Sequence, residues 1–150
     1  MRLALYEPDI PQNCGALLRL GACLGITVDI IEPCGFLFDE RRMRRACMDY
    51  LDLVEVRRHV SWDAYQRARQ GRLILLTSRG TDIYTRFAFR PDDTLMVGRE
   101  SAGVPEAVHR AADARLVIPM RQGLRSLNVA QAAAIAIGEG LRQIDGFPRM

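Results

Sequence analysis

Short apolar runs alternate with amphipathic segments along the whole chain, and the clearest case spans residues 116–140. Leu116, Val117 and Ile118 read as a short buried strand. Pro119 and Met120 close it, and a polar loop runs from Arg121 to Asn128. Beyond the loop Val129, Ala133, Ile137 and Leu141 recur every four residues, while Ala132, Ala136 and Gly140 widen the stripe. That period predicts a helix with a broad apolar face. Its small side chains admit another backbone at close range. Ser126 and Asn128 stand where the helix begins, so either can cap its free N–H groups.

Upstream, the same alternation predicts strands at Arg2–Tyr6, Thr27–Ile31, 53–56, Leu73–Leu76 and Thr94–Val97. Asn13 is placed to cap a helix carrying Leu17, Leu18, Leu20, Ala22 and Leu24, which Gly25 ends. Arg19 lies in the second turn of that helix. A further helix over 39–48 carries Arg41, Arg42, Arg44 and Arg45 behind Asp39 and Glu40, an order that suits the helix dipole. Such a charge run is a solvated face as readily as an anion-binding one. Ser61 can cap a helix to Gln70, and Pro105 can open one through Ala112. Residues 81–93 show no period and are expected to be irregular, and 145–150 form a loose tail.

Strands and helices that alternate in this way predict an α/β domain, its mostly parallel sheet covered by helices on both faces. Ligands of such sheets bind beyond the carboxyl ends of the strands. The loops after Leu76, Val97 and Ile118 are glycine-rich or polar and together make one candidate pocket. Gly98 ends a strand where a ligand would approach the backbone.

With 150 residues, 49% hydrophobic and 26% charged, the chain fits one domain (1–150) with a real core. No apolar run reaches membrane-spanning length and the N-terminus lacks a signal pattern, so a cytoplasmic protein is expected. Cys14, Cys23, Cys34 and Cys47 lack the spacing of a zinc site or a disulfide framework and are expected to be reduced and mostly buried. All 21 basic residues are arginine, and the net charge is a mild +3. Genome composition alone can produce that bias, but guanidinium forks suit phosphate and bases better than ammonium does.

Candidate chemistry is narrowed by what is missing. Gly98 and Gly103 have the glycine spacing of a phosphate loop, yet Val104-Pro105 replaces the required lysine and hydroxyl. No strand is followed by Gly-x-Gly-x-x-Gly. His59 and His109 each stand alone and are expected at the surface, and no residue set suggests a metal or a triad. What remains is backbone amides, Glu100, Thr77, Ser126, Asn13, Asn128 and Arg19.

These residues carry a resemblance. Asn13-Cys14-Gly15-Ala16-Leu17-Leu18-Arg19, the run Gly98-Arg99-Glu100-Ser101-Ala102-Gly103-Val104-Pro105, and Ile118-Pro119-Met120 with Ser126-Leu127-Asn128-Val129-Ala130 resemble the three motifs of the SPOUT methyltransferases. Arg45-Ala46-Cys47-Met48-Asp49-Tyr50 is similar to an Arg-Ala-Gly-Leu-Asp-Tyr stretch of the small TrmL-like branch. That branch methylates the ribose 2′-hydroxyl of the wobble nucleotide in certain tRNAs. The resemblance covers essentially the whole chain. Cys14, Ala16, Cys47, Met48 and Gly138 depart from the usual residues of the branch.

The resemblance implies a C-terminal deep trefoil knot, an exception to ordinary chain threading. It implies S-adenosylmethionine held by Leu76, Thr77, Gly98, Glu100, Gly103, Ile118, Met120, Ser126 and Leu127, with no metal. It implies a homodimer with each active site built across the interface. Arg19 would serve the ribose oxygen, Asn13, Ser126 and Asn128 would orient it, and Glu100 would anchor the donor side. A guanidinium has a pKa above about 12, so Arg19 is either a base with a strongly lowered pKa or a positioning group. Arg41, Arg42, Arg44, Arg45, Arg121 and Arg125 would grip the phosphates of a tRNA anticodon loop. The alternatives are action on another tRNA position or on ribosomal RNA, and RNA binding without catalysis. The joint presence of Arg19, Glu100 and Asn128 argues against the last.

Overall fold

The computed structural model describes residues 1–149. In chain order the elements are β1 (Arg2–Tyr6), α1 (Pro11–Leu24), β2 (Thr27–Ile31), α2 (Glu40–Ala46), β3 (Val56–His59) and α3 (Trp62–Ala68). They continue with β4 (Leu73–Leu76), β5 (Asp82–Ile83), β6 (Thr94–Val97), α4 (Glu106–Ala111), β7 (Ala114–Val117) and α5 (Val129–Gln143). The strands form one sheet in the order β3-β2-β1-β6-β4-β7-β5, and every neighbouring pair is parallel.

The two faces of the sheet divide the core. Leu3, Leu5, Val28, Ile30, Ile74, Leu95 and Leu116 face α1, α2 and α5, meeting Leu17, Leu18, Met43, Ala133, Ile137 and Leu141. Ala4, Tyr6, Leu73, Leu75 and Met96 face the other way, onto Tyr65 of α3 and Val108 of α4. Alternate residues of one strand thus serve opposite layers. Each leucine or isoleucine so buried contributes about 1.5–3 kcal/mol. The expected doubly covered sheet is present, and it is parallel throughout.

Differences from the expected elements have local causes. Pro11 opens α1 and Ile10 is its cap, so Asn13 lies inside the first turn and caps nothing. Pro105 caps α4 rather than opening it. α3 stops at Ala68, short of Gln70, although Ser61 caps it through Ala64 N at 3.1 Å. A 3-10 turn at Tyr50–Leu53 takes up Leu53, and the strand expected at 53–56 runs instead from Val56 to His59. β3 is an edge strand, where exposed Arg57 and Arg58 are tolerated. β7 begins two residues before Leu116 and leaves Ile118 in the loop. The irregular stretch 81–93 hides β5, whose two residues are too few for any period. Of the tail 145–150, residues 145–149 carry no helix or strand and Met150 lies outside the described residues.

Neither histidine is a free surface group. His59 Nε2 lies 2.7 Å from Asp29 Oδ1, and its side chain is only 13% exposed. Asp29 itself is 2% exposed, and Arg2 donates to both its oxygens at 3.0 and 3.1 Å. A carboxylate in a strand core is tolerable only with such partners. His109 is 6% exposed, and burial lowers its pKa. Of the cysteines Cys14 and Cys47 are buried, Cys34 is half-buried and Cys23 is exposed, and all four are free. Among the described residues no helix is long and apolar enough to cross a membrane.

α1 and α2 approach each other at Gly15. A Cβ placed there would lie 2.5 Å from Ala46 Cβ and 2.6 Å from its carbonyl carbon. Gly15→Ala gains up to about 1 kcal/mol of helix propensity. The clash with backbone costs about 1–3 kcal/mol. Gly15→Ala is therefore expected to lower stability, read as a reduced urea midpoint with unchanged slope. A raised midpoint would show that the two helices yield.

Candidate active site

A cleft of about 590 Å³ opens at the carboxyl ends of β4, β6 and β7. Its volume lies within the roughly 300–1,000 Å³ of small-molecule sites. All nine residues assigned to the donor line it: Leu76, Thr77, Gly98, Glu100, Gly103, Ile118, Met120, Ser126 and Leu127. Asn13, Asn128 and Arg125 line it too. Beside Val97 and Val129 next to the motif loops, Ile10, Leu75, Val117 and Ala132 add an apolar lining that no motif singled out. They could have been found only by knowing which strands are neighbours.

The loop after β6 owes its shape to two glycines. Arg99 and Gly103 exchange backbone hydrogen bonds at 3.2 and 2.8 Å, folding the segment between them into a tight turn. Gly103 sits at φ 63°, where residues with a Cβ are strained. A Cβ on Gly98 would lie 2.7 Å from Gly103 C. Gly103 therefore packs on Gly98 and leaves no room for a side chain there.

That turn is held against the exit of β1 by Asp9, a residue the motifs did not mark. Glu100 N donates to Asp9 Oδ1 at 2.9 Å, Ser101 N to Oδ2 at 3.3 Å, and Ser101 Oγ also donates to Oδ2. Asp9 N donates in return to Glu100 Oε2 at 3.2 Å. Arg99 pairs with Glu7 on the same exit and lies over the Tyr6 ring at 5.8 Å. Glu100 thereby fastens its own loop to the exit of β1.

The Glu100 carboxyl is pushed above its ordinary pKa, first by burial and then by Asp9. Asp9 is held down at about 2, chiefly by its bond with Glu100 and next by Ser101. The two carboxyls therefore titrate apart, Asp9 ionising first and Glu100 holding its proton to higher pH.

Asn128 serves two purposes. Its Oδ1 accepts from Ala130 N at 2.9 Å and Gln131 N at 3.3 Å, capping α5, while Nδ2 donates to Asn13 Oδ1 at 2.9 Å. The cap therefore ties α5 to α1 across 115 residues. Ser126 is exposed and takes no part in capping.

Arg19 is not brought to this cleft within the chain. It is exposed on α1, its Nη1 2.8 Å from Met48 Sδ and its Cζ 5.2 Å from the centre of the Tyr50 ring. Asn13, Ser126 and Asn128 do not touch it in one copy. Of the arginines on α2, Arg44 is engaged by Asp52 at 2.5 and 2.7 Å and by Glu40 at 3.7 Å. Arg41, Arg42 and Arg45 are exposed and form no ion pair among the described residues, as do Arg121 and Arg125. No group of three His, Cys, Asp or Glu side chains able to hold a metal occurs among the described residues.

Fold and cleft together define an α/β protein that takes a small molecule beyond its parallel strands. The chain belongs to the SpoU rRNA Methylase family, whose model matches residues 1–138. A tRNA (cytidine(34)-2'-O)-methyltransferase of Beijerinckia indica is 59% identical over 152 residues, 99% of this chain and 94% of its own. An Escherichia coli K12 protein of the same name is 38% identical over 151 residues, 99% of this chain and 96% of its own. A protein solved for structural insights into the 2-OH methylation of C/U34 on tRNA superposes with TM-score 0.92 at 39% identity. That match covers 97% of this chain and 96% of the other. An AdoMet-bound rRNA methyltransferase from Sinorhizobium meliloti gives TM-score 0.84 at 25% identity, over 94% of this chain and 55% of its own.

The split titration has a sign that can be checked. A raised Glu100 adds stability at low pH that is lost as pH rises through its folded pKa. The depressed Asp9 adds stability above its ordinary 3.8 that is lost as pH falls through about 2. An amide at position 100 mimics the protonated acid at every pH. Glu100→Gln is expected to match the native chain near pH 4 and exceed it at pH 8 by about 1 kcal/mol, the net worth of one hydrogen bond. Thermal melts across that range test this, and a difference independent of pH would remove the split titration.

Proposed function

We propose that the protein is an S-adenosylmethionine-dependent methyltransferase of the ribose 2′-hydroxyl of nucleotide 34, cytidine or modified uridine, in the tRNA anticodon loop. The observation that carries this is the cleft, lined by every residue assigned to the donor, in a chain 59% identical to such an enzyme along almost its whole length. The cleft suits the donor chemically. Leu75, Leu76, Val97 and Val117 offer an apolar floor for a base. S-adenosylmethionine, when bound, supplies the methyl group on its sulfonium.

The chain's own work is to hold the acceptor. A ribose hydroxyl is a poor nucleophile until its oxygen is fixed in line. Arg19 positions the 2′-oxygen and its adjoining phosphate through the planar fork. Asn13 and Asn128, already bonded to each other, hold the floor beside it. Ser126 presents its hydroxyl at the rim. Exposed Arg125 and Arg121, and Arg41, Arg42 and Arg45 on α2, neutralise backbone phosphates.

Arg19 faces away from the cleft of its own chain, which supports a homodimer in which Arg19 of one copy completes the cleft of the other. The broad stripe of α5 is a weaker argument than its pattern implies, since Ala133, Ala136, Ile137, Gly140 and Leu141 are buried against the chain's own sheet. Ile10, Leu124, Leu127 and Ile135 stay exposed and are available for a second copy. A knotted C-terminal part is supported by residues 77–81. They cross β7 from the β4 side to the β5 side, with Thr77 N and Thr81 N donating to Leu116 O and Arg115 O at 2.9 and 3.0 Å. The enzyme so constituted is one domain acting in the cytoplasm.

Arg19→Ala is expected to reduce methyl transfer to tRNA about 100-fold or more, as loss of a transition-state contact does. Donor affinity by calorimetry should stay within about twofold, because the cleft of the chain does not contain Arg19. Mass spectrometry of tRNA from cells lacking the protein should show the wobble ribose methyl group gone. If that mark persists while another disappears, the substrate is a different RNA position.

Sedimentation should show a dimer at micromolar concentration. A monomer with full activity would remove the shared site.

A further inference from the structure

The resting place of Arg19 is built at some conformational cost. Met48 and Asp49 adopt φ of 54° and 63°, adjacent non-glycine residues in the left-handed region. Such backbone persists only where surrounding structure enforces it, and it gathers at functional sites. Here three backbone bonds enforce it: Cys47 N to Met43 O at 2.9 Å, Asp49 N to Arg44 O at 3.0 Å and Tyr50 N to Cys47 O at 3.2 Å. The turn buries little, since Met48 is left 60% exposed. What it does is aim two groups at one guanidinium, the Met48 thioether and the face of the Tyr50 ring.

The register of that meeting is set by the Gly15 contact. Gly15 lies against Ala46, and counting four residues on from each reaches Arg19 on α1 and Tyr50 at the turn. One α-helical turn separates Gly15 from Arg19, so both lie on the same side of α1. The contact that locks the two helices therefore also fixes where Arg19 finds its partners.

We propose that Met48 and Tyr50 are positioning residues for Arg19, a cradle that orients its guanidinium for the acceptor without touching donor or RNA. The cradle works through the ring face and the sulfur lone pair. A cation over an aromatic ring keeps its fork free to donate to the ribose and phosphate. A carboxylate in the same place would occupy those donors. The inference rests on the acceptor role of Arg19 given above.

The test is single-turnover methyl transfer to tRNA at saturating donor and tRNA. Tyr50→Leu is expected to slow the step about tenfold with donor affinity unchanged, and Tyr50→Phe, which keeps the ring, to restore it to within about threefold. In an Arg19→Ala background Tyr50→Leu should cost nothing further, because the group it positions is gone. Full speed in Tyr50→Leu beside a crippled Arg19→Ala overturns the cradle alone. So does additive loss in the double variant, or a Tyr50→Phe as slow as Tyr50→Leu. An active Arg19→Ala instead overturns the role of Arg19 itself. Should Tyr50→Leu fail to fold, Met48→Leu alters an exposed side chain and decides the matter. Slowing that disappears in the Arg19→Ala background supports the cradle, and slowing that persists overturns it.

Discussion

The site depends on one carboxylate in a loop. Asp9 takes the backbone N–H groups of Glu100 and Ser101 and the Ser101 hydroxyl, fastening the exit of β6 to the exit of β1. These strands are neighbours at the centre of the sheet, so their exits leave at the same height. Without the link, the turn closed by Arg99 and Gly103 would be tied to β1 only through Arg99 and Glu7. With it, the rim of the cleft inherits the rigidity of two buried strands. Hydrogen bonds to a charged acceptor are roughly twice as strong as neutral ones. They keep Asp9 ionised, while burial and then Asp9 itself raise the Glu100 carboxyl.

A second tie joins the ends of the chain. Asn128 caps α5 with its oxygen and grips Asn13 on α1 with its nitrogen, so helix capping and cleft assembly are one event. The same economy appears on the other side of α1. There the absence of a Cβ at Gly15 admits α2, and the turn that follows α2 receives Arg19. α1 thus carries Asn13, which lines the cleft, at its start, and Arg19, which does not, about a turn and a half later. Within one chain Arg19 and the cleft therefore lie apart.

Electrostatics separate the arginines by use. Arg2, Arg44, Arg72 and Arg99 are paired with acids and belong to the framework. Arg41, Arg42, Arg45, Arg121 and Arg125 are exposed and stand outside every ion pair among the described residues. The net charge of +3 hides this division. A mild average is compatible with this division because it does not say which arginines are paired.

The sequence alone determined the strands that are continuous apolar runs. β1, β2, β4 and β6 lie where the pattern put them, because strands covered on both faces are mostly apolar, with Asp29 and Thr94 the buried polar exceptions. It also pointed to the cleft, since the loops after β4, β6 and β7 carry glycines and polar groups at the carboxyl ends of the strands. Only the tertiary structure decided β3 and β5. An edge strand tolerates arginine, and two residues carry no period. Asp9, Asp29 and His59 were illegible for a different reason: each is explained by partners between 27 and 92 residues away. A polar residue among apolar ones announces a partner but not which one. Arg19 is the sharpest case. The motif named it, and only the packing of α1 on α2 showed which neighbours hold it and that its own cleft lies elsewhere.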